Sequence, residues 1–279
     1  MNREPRQATD YEPRQVAAAR RVLVDLGQVL AAYRRQIVVV GGWVPDLVFP
    51  EAEPEHVGSI DVDLALNTRE LSDGQYAKVI ESLVISGRYS QGTLPFQLVA
   101  EVDLQDGERP VRVDIDFLAP DWKLKKNKPK LLEGFRVLQF PACAAAFRNP
   151  VSIEFSGQMV SGAQNHVEMM VASTADFLIM KAHALALRDK PKDAYDICHC
   201  LDNYPGGMAA LSTDWAERKD DVLVVASIVH LRSKFASIEH FGPQALAEFH
   251  GYTDDSERAL HARRGYELVQ EFLRQMGEA

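Results

Sequence analysis

Three short apolar runs that carry glycine or aspartate decide how this chain folds: Val38-Val39-Val40-Gly41-Gly42, Ser59-Ile60-Asp61-Val62-Asp63-Leu64 and Val113-Asp114-Ile115-Asp116-Phe117. Successive side chains of a β-strand point to opposite faces, so aspartates two positions apart share one face. The apolar neighbours of these aspartates are typical of buried strand positions. The pattern therefore predicts a sheet with a glycine turn and two pairs of carboxylates directed at one place.

The four aspartates favour a metal site. Carboxylates that crowd together repel one another and resist ionisation, so such a cluster usually holds hard divalent cations. Mg²⁺ is the common choice where phosphates are handled. Gly41 and Gly42 would let the backbone approach a phosphate closely, with amide groups at the start of the next helix pointing outward. Together these residues indicate a metal-dependent nucleotide site.

Length and composition agree with an ordinary globular protein. The chain has 279 residues, of which 46% are hydrophobic and 25% charged, and this is enough for two domains with separate cores. No apolar run approaches the ~20 residues that a bilayer span needs. Cys143, Cys198 and Cys200 make no disulfide framework, so a cytoplasmic location without membrane contact is expected. The net charge of -9 argues against indiscriminate coating of nucleic acid.

The first part of the chain alternates between helical and extended patterns. A polar tail is followed by an amphipathic helix over 12–34, a buried strand over 37–40 and a short helix over 43–49. A polar loop over 50–58 precedes a strand over 61–66, and Ser72 is the expected N-cap of the next helix. Two strands, 96–104 and 111–118, should form an antiparallel hairpin through a turn that contains Asp106-Gly107.

The second part of the chain becomes helical. Short strands are expected over 135–140, 151–155 and 166–171, an apolar helix over 173–189 and another helix from Pro191. The remainder is helical by periodicity, with breaks near 205–207, 241–243 and 253–255. The predicted fold class is α+β: a tail and helix over 1–34, a mixed-sheet domain over 35–172 and a helical domain over 173–279.

A lysine-rich loop follows the last acidic strand and contains Lys123, Lys125, Lys126, Lys128 and Lys130. On a protein with a negative net charge, five cations in eight positions form a local basic patch. Such a loop is either a solvated surface or an RNA-contacting segment, and the sequence leaves both readings open.

The order of these motifs resembles the nucleotidyltransferase superfamily, to which DNA polymerase β and the aminoglycoside nucleotidyltransferases belong. The resemblance rests on Gly41-Gly42, on Asp61-Val62-Asp63 and on a third acidic strand at Asp114 or Asp116. The stretch from Phe177 to Arg188, followed by Lys192-Asp193-Ala194-Tyr195-Asp196-Ile197, is similar to the AbiEii-type abortive-infection toxins. Asp61 follows Gly42 by nineteen positions, a longer gap than that family usually shows. Residues 50–58 would then be an insertion beside the active site.

The resemblance implies transfer of a nucleoside monophosphate from an NTP to an acceptor hydroxyl. Two Mg²⁺ ions, held by Asp61, Asp63 and a third acid, would bridge the triphosphate and lower the pKa of the attacking hydroxyl. Nucleotide-binding roles are expected for six residues: Gly41, Gly42, Ser59, Lys181, Arg188 and Asp193. The implied biological setting is a bacterial toxin–antitoxin or phage-defence pair, with an RNA or tRNA acceptor docked partly by the lysine loop and a cognate antitoxin as partner.

Two other functions remain open at this level. An antibiotic-type nucleotidyltransferase would share every catalytic residue but accept an aminoglycoside or another small alcohol, and the acidic loop over 50–58 could line its acceptor cleft. A non-catalytic nucleotide-binding module would keep the fold without the chemistry. The aspartate pairs at 61/63 and 114/116 disfavour that module, because carboxylates that repel one another do not stabilise a fold that performs no chemistry.

The identity of the third acid depends on strand geometry. Asp114 and Asp116 share a face, but they lie about 6.6 Å apart along the strand, which is too far for equal ligation of one ion. Asp116 leads directly into the end of the strand. The sequence therefore favours Asp114 as the third metal ligand and general base, with Asp116 in a supporting position.

Overall fold

A computed structural model describes residues 4–71, 73–120 and 135–278 of the chain. The chain forms two compact units. One contains residues 12–48 and 58–173, and the other contains residues 1–11, 49–57 and 174–279. No helix in the described ranges is both long enough and apolar enough to cross a membrane. The lysine loop over 123–130 and the expected N-cap Ser72 lie outside the described residues.

The first unit is built on a mixed sheet, and we call it the sheet unit. Its helices and strands, in chain order, are α1 (Pro13–Val29), β1 (Ile37–Val40), α2 (Trp43–Val48), β2 (Val62–Leu66), α3 (Asp73–Ile85), β3 (Tyr89–Gln91), β4 (Gln97–Val102), β5 (Val111–Ala119), β6 (Leu138–Gln139), β7 (Val151–Gln158) and β8 (Gln164–Val171). Two 3₁₀ helices, Ala31–Gln36 and Pro141–Phe147, complete it.

Among the described residues the sheet has eight strands in the order β3-β4-β5-β2-β1-β8-β7, and β6 pairs with β5 beyond this path. Strand β2 runs antiparallel to β1 and parallel to β5, while β4 and β5 form the predicted antiparallel hairpin. Helix α1 begins with Pro13 and buries one apolar stripe that includes Val22, Leu23 and Leu26. The central strands therefore lie side by side, with their aspartates in the middle of the sheet.

The second unit, the helical unit, contains six α-helices among the described residues: α4 (Thr174–Leu187), α5 (Pro191–Asn203), α6 (Gly207–Ala216), α7 (Val222–Lys234), α8 (Phe241–His250) and α9 (Asp255–Glu278). A 3₁₀ helix, Ala8–Asp10, precedes them. Helices α4 and α5 are almost entirely buried. The sequence of α4 is mostly apolar, whereas α5 buries charged side chains that pair with one another and with Lys181. The segment 49–57, which includes most of the polar loop expected over 50–58, belongs to this unit and buries Ala52 and His56.

The predicted fold class, a mixed-sheet domain followed by helices, is confirmed. Two local features differ from the prediction. The strand expected over 135–140 is only the two-residue β6, and the short strand β3 was missed. The break predicted near 241–243 lies between α7, which ends at Lys234, and α8, which begins at Phe241. Pro243 is tolerated in the first turn of α8 because its missing N–H has no helical partner there.

Candidate active site

A polar row crosses the middle of the sheet unit. In the strand register, Val40 of β1 pairs with Asp63 of β2, Asp63 pairs with Asp116 of β5, and Asp116 pairs with Gln97 of β4. Register partners on neighbouring strands are about 4.8 Å apart and point to the same face. The structure therefore brings Asp63 and Asp116 together as direct neighbours, and the Gln97 Nε2 group donates a hydrogen bond of 3.0 Å to Asp116 Oδ1.

Gly41 lies against the Asp63 carboxylate. Its backbone has φ +71°, a conformation that favours glycine, and a Cβ at this position would overlap the Asp63 side chain. Gly42 is buried and leads directly into α2. The glycine turn and the first acidic pair, which lie about twenty positions apart in sequence, are thus adjacent in space because β1 and β2 are paired.

Asp61 is oriented from two sides. It precedes the first residue of β2, and its Oδ1 accepts a hydrogen bond of 2.6 Å from the Ser59 hydroxyl. Its carbonyl oxygen accepts a hydrogen bond of 2.7 Å from the indole Nε1 of Trp43 in α2. Ser59 and Trp43 are buried, so both donors are held firmly. This arrangement gives Ser59 an orienting contact with an acid, in addition to the nucleotide-binding role that the resemblance implies.

Asp114 lies on the same strand as Asp116 but in different surroundings. Its partner in the register is Val99 of β4, and its carboxylate accepts a hydrogen bond of 3.1 Å from Arg112 Nε. The Asp114 side chain is 40% exposed. An acid already paired with an arginine and open to solvent is less available to a metal ion than one that faces another acid.

The donor chemistry of the sheet unit suits Mg²⁺, since Asp61, Asp63 and Asp116 offer carboxylate oxygens. In the parts of the chain that the structure describes, no three histidine, cysteine or acidic side chains converge as metal ligands. Mg²⁺ is commonly bound by one or two carboxylates together with phosphate oxygens of the substrate, and this does not require a complete protein cage. Asp63 and Asp116 are the pair whose register matches such a site.

In the helical unit, the predicted nucleotide-binding residues Lys181, Arg188 and Asp193 meet. Lys181 Nζ donates to Asp193 Oδ1 at 2.8 Å, and Arg188 binds both oxygens of Asp193 at 2.8 and 3.0 Å. The Lys181 side chain is only 9% exposed, whereas that of Arg188 is 51% exposed. Burial would raise the pKa of Asp193, but Lys181 and Arg188 outweigh it and lower the pKa below its ordinary value.

Asp196 forms the second centre of this network. Its Oδ2 lies 2.7 Å from Lys181 Nζ as an ion pair, and its Oδ1 accepts hydrogen bonds from Lys192 Nζ at 2.8 Å and His56 Nε2 at 2.9 Å. Burial opposes the charge on Lys181, but Asp193 and Asp196 outweigh it and raise the pKa of Lys181. Three cations, Lys181, Arg188 and Lys192, thus lie around the carboxylates of Asp193 and Asp196.

His56 is electrically neutral in this network. Burial, followed by the nearby charge of Lys192, lowers the pKa of His56 to about 3, although its hydrogen bond with Asp196 acts in the opposite direction. A carboxylate only accepts hydrogen bonds, so the proton of the neutral imidazole must be on Nε2. His56 therefore stabilises Asp196 as a donor without adding charge.

The lowered pKa of His56 predicts that acid destabilises the protein. The unfolded chain binds a proton at His56 below about its ordinary pKa of 6.5, while the folded chain does not bind it until about 3, so stability falls as the pH falls through this window. We expect a loss of about 2 kcal/mol between pH 6.5 and about pH 5 from this group. Urea unfolding at a series of pH values measures it. His56→Gln should flatten the slope, and a flat profile for the unmodified chain would contradict the prediction.

Sequence reasoning missed four residues of these networks: Trp43, Gln97, His56 and Lys192. The register of the β4–β5 hairpin would have indicated Gln97, but an alternating pattern does not specify which residues face each other. No local signal connects His56 with Asp196, because the two residues are separated by 140 positions.

The comparison with known families agrees with these motifs. The model of the nucleotidyl transferase AbiEii toxin family, a type IV toxin–antitoxin system, matches residues 30–276. No curated protein sequence matches the chain significantly. The match includes the glycine turn, the acidic strands and the Lys181–Asp193 network. The chain therefore belongs to the AbiEii family of nucleotidyl transferase toxins of type IV toxin–antitoxin systems.

Proposed function

We propose that this protein is a Mg²⁺-dependent nucleotidyltransferase that moves a nucleoside monophosphate from an NTP to a hydroxyl group of RNA, in particular a tRNA. The observation that carries the proposal is the pairing of Asp63 with Asp116, with Gly41 against the Asp63 carboxylate. The protein would act in the cytoplasm as the toxin of a bacterial toxin–antitoxin or phage-defence pair, opposed by a cognate antitoxin. Three buried free cysteines agree with a reducing compartment.

Asp61, Asp63 and Asp116 would hold the metal ions in this proposal, rather than Asp61, Asp63 and Asp114. When bound, Mg²⁺ neutralises charge on the triphosphate and activates the attacking hydroxyl. Ser59 and Trp43 orient Asp61, and Gln97 orients Asp116, so these side chains need little reorganisation during the reaction. Backbone N–H groups of Gly41 and Gly42 would bind phosphate oxygens.

The helical unit would contribute phosphate-binding cations. Lys181, Arg188 and Lys192 carry three positive charges against the two carboxylates of Asp193 and Asp196, and His56 is neutral. A nucleotide phosphate is an anion of suitable charge, and Arg188 is the most exposed of these cations.

An RNA acceptor would depend on the lysine loop. Replacing Lys125, Lys126 and Lys128 with glutamine should weaken RNA binding across sequences and flatten its salt dependence, because each lost phosphate contact reduces counterion release. NTP binding should stay unchanged. Filter binding at several salt concentrations measures the effect, and an unchanged RNA affinity and salt slope would assign the loop to the solvated surface.

The acceptor and the reaction can be tested together. The protein is incubated with Mg²⁺ and each α-labelled NTP in a cell extract, and the label is then sought in RNA, protein and small-molecule fractions. We expect label in RNA, removed by ribonuclease. Label in a small polar alcohol would instead indicate an antibiotic-type enzyme. Absence of label in every fraction would leave only a nucleotide-binding module and overturn the proposal.

A further inference from the structure

The segment 49–57, which joins the glycine turn and α2 to the first acidic pair, is part of the helical unit. It is anchored by its last two residues. The His56 side chain is fully buried and stacks on Tyr195, with ring centroids 5.2 Å apart and an interplanar angle of 25°. The Val57 N–H donates to the Tyr195 hydroxyl at 3.3 Å. A segment whose sequence predicts a solvated acidic loop therefore places the imidazole of His56 in the interior of the helical unit.

The imidazole contacts Asp196 at the oxygen that does not face Lys181. Oδ1 of Asp196 accepts from His56 Nε2 and from Lys192 Nζ, and Oδ2 lies beside Lys181 Nζ. Two donors on one oxygen favour one orientation of the carboxylate. The carboxylate plane is thus held so that Oδ2 presents its charge to Lys181.

Lys181 is consequently held between two acids. Its ammonium group donates to Asp193 Oδ1 and pairs with Asp196 Oδ2, and it lies 5.5 Å from the ring centroid of Phe177. A lysine side chain has four rotatable bonds and would otherwise sample many positions. An ammonium group has three N–H donors, so contacts with two carboxylates leave one for an anionic oxygen of a ligand.

We propose that His56 is a positioning residue for Lys181, which it orients through Asp196 for contact with nucleotide phosphate. This inference rests on the proposed function, because it requires Lys181 to bind the nucleotide. The neutrality of His56 suits the role. A neutral donor orients Asp196 without adding charge to the site.

Two substitutions separate the hydrogen bond from the volume of the side chain. His56→Leu removes the donor and puts an apolar side chain in its place, while His56→Gln keeps an N–H donor of similar reach. Equilibrium binding of labelled NTP with Mg²⁺ to the full chain is the readout. We expect about a tenfold weaker affinity for His56→Leu, in line with the loss of a charge-assisted hydrogen bond, and a change of less than about threefold for His56→Gln.

Trp215→Phe is the matched control for stability. It removes the hydrogen bond from Trp215 Nε1 to the Ala175 carbonyl, at 3.3 Å in the same unit, without touching the charged network. It should leave NTP affinity within about twofold of the unmodified chain, even if its melting temperature falls as much as that of His56→Leu. Equal losses of affinity in the two variants would show a general effect of destabilisation and overturn the inference.

A double-mutant cycle with Lys181→Met tests whether His56 acts through Lys181. If it does, His56→Leu should have little further effect on NTP affinity once Lys181 is absent. Additive losses, or failure of a folded His56→Gln protein to restore affinity, would overturn the positioning role while leaving the proposed function intact. If the unmodified chain binds no NTP and transfers no label, the proposed function fails, and the inference fails with it.

Discussion

Asp61→Asn and Asp63→Asn should each reduce nucleotidyl transfer by at least ~10³-fold, because each removes a metal ligand that stabilises charge in the transition state. Asparagine preserves the shape of the side chain, and the amide oxygen can still accept the hydrogen bond that Ser59 donates to Asp61. The fold should remain intact or become slightly more stable, since a negative charge leaves a repulsive cluster. Rates of label transfer, together with melting temperatures, measure both effects.

Glu101→Gln is a suitable control for these variants. Glu101 is an exposed acid on β4 of the same sheet, paired in register with Arg112, and it lies outside the polar row. The Glu101→Gln variant should transfer label at nearly the rate of the unmodified chain. Full activity in purified, folded Asp61→Asn or Asp63→Asn protein, with metal supplied, would contradict the assignment of a metal-dependent nucleotidyltransferase site to these strands.

Asp116→Asn should be as inactive as Asp63→Asn, whereas Asp114→Asn should retain transfer within about tenfold of the unmodified rate. The reason is the register, which makes Asp63 and Asp116 direct partners and leaves Asp114 one pleat away beside Arg112. Two acids about 4.8 Å apart across the ladder can share one cation, whereas the Asp114 carboxylate already pairs with Arg112 and is 40% exposed to solvent.

A substitution at Gln97 tests the hydrogen bond that supports Asp116. Gln97→Leu removes the donor to Asp116 Oδ1 but leaves the carboxylate in place, so we expect a smaller loss of transfer than in Asp116→Asn. The Mg²⁺ concentration that gives half of the maximal transfer rate should be higher in Asp116→Asn than in the unmodified chain. If Asp114→Asn were the inactive variant, the third ligand would be Asp114, as the strand sequence alone favours.

Local sequence patterns were sufficient for most of the elements of this protein. The apolar run before Gly41 predicted β1, the alternation around Asp61 and Asp114 predicted two strands, and Asp106-Gly107 predicted the hairpin that joins β4 and β5. Alternation and turn chemistry depend on neighbours in the chain, so these features can be derived without tertiary information. The family motifs Gly41-Gly42 and Asp61-Val62-Asp63 are likewise short contiguous stretches that can be recognised from the sequence alone.

The positions of residues across the sheet could not be derived in this way. An alternating strand identifies which side chains share a face, but the partner of each residue depends on the register between strands. The pairing of Asp63 with Asp116 and the contact of Gln97 with Asp116 both follow from that register. The preference for Asp114, drawn from the strand sequence alone, lacked this information.

The sequence by itself determined that the chain has a mixed sheet with a glycine turn and acidic strands, followed by helices, because those properties are written in local periodicity. Only the tertiary structure decided that the acidic segment 49–57 buries His56 in the helical unit, where the imidazole hydrogen-bonds Asp196. That contact joins residues separated by 140 positions. It forms because a buried carboxylate must accept hydrogen bonds from donors that tertiary packing brings close. The local sequence around Asp196 does not specify which residue provides the donor.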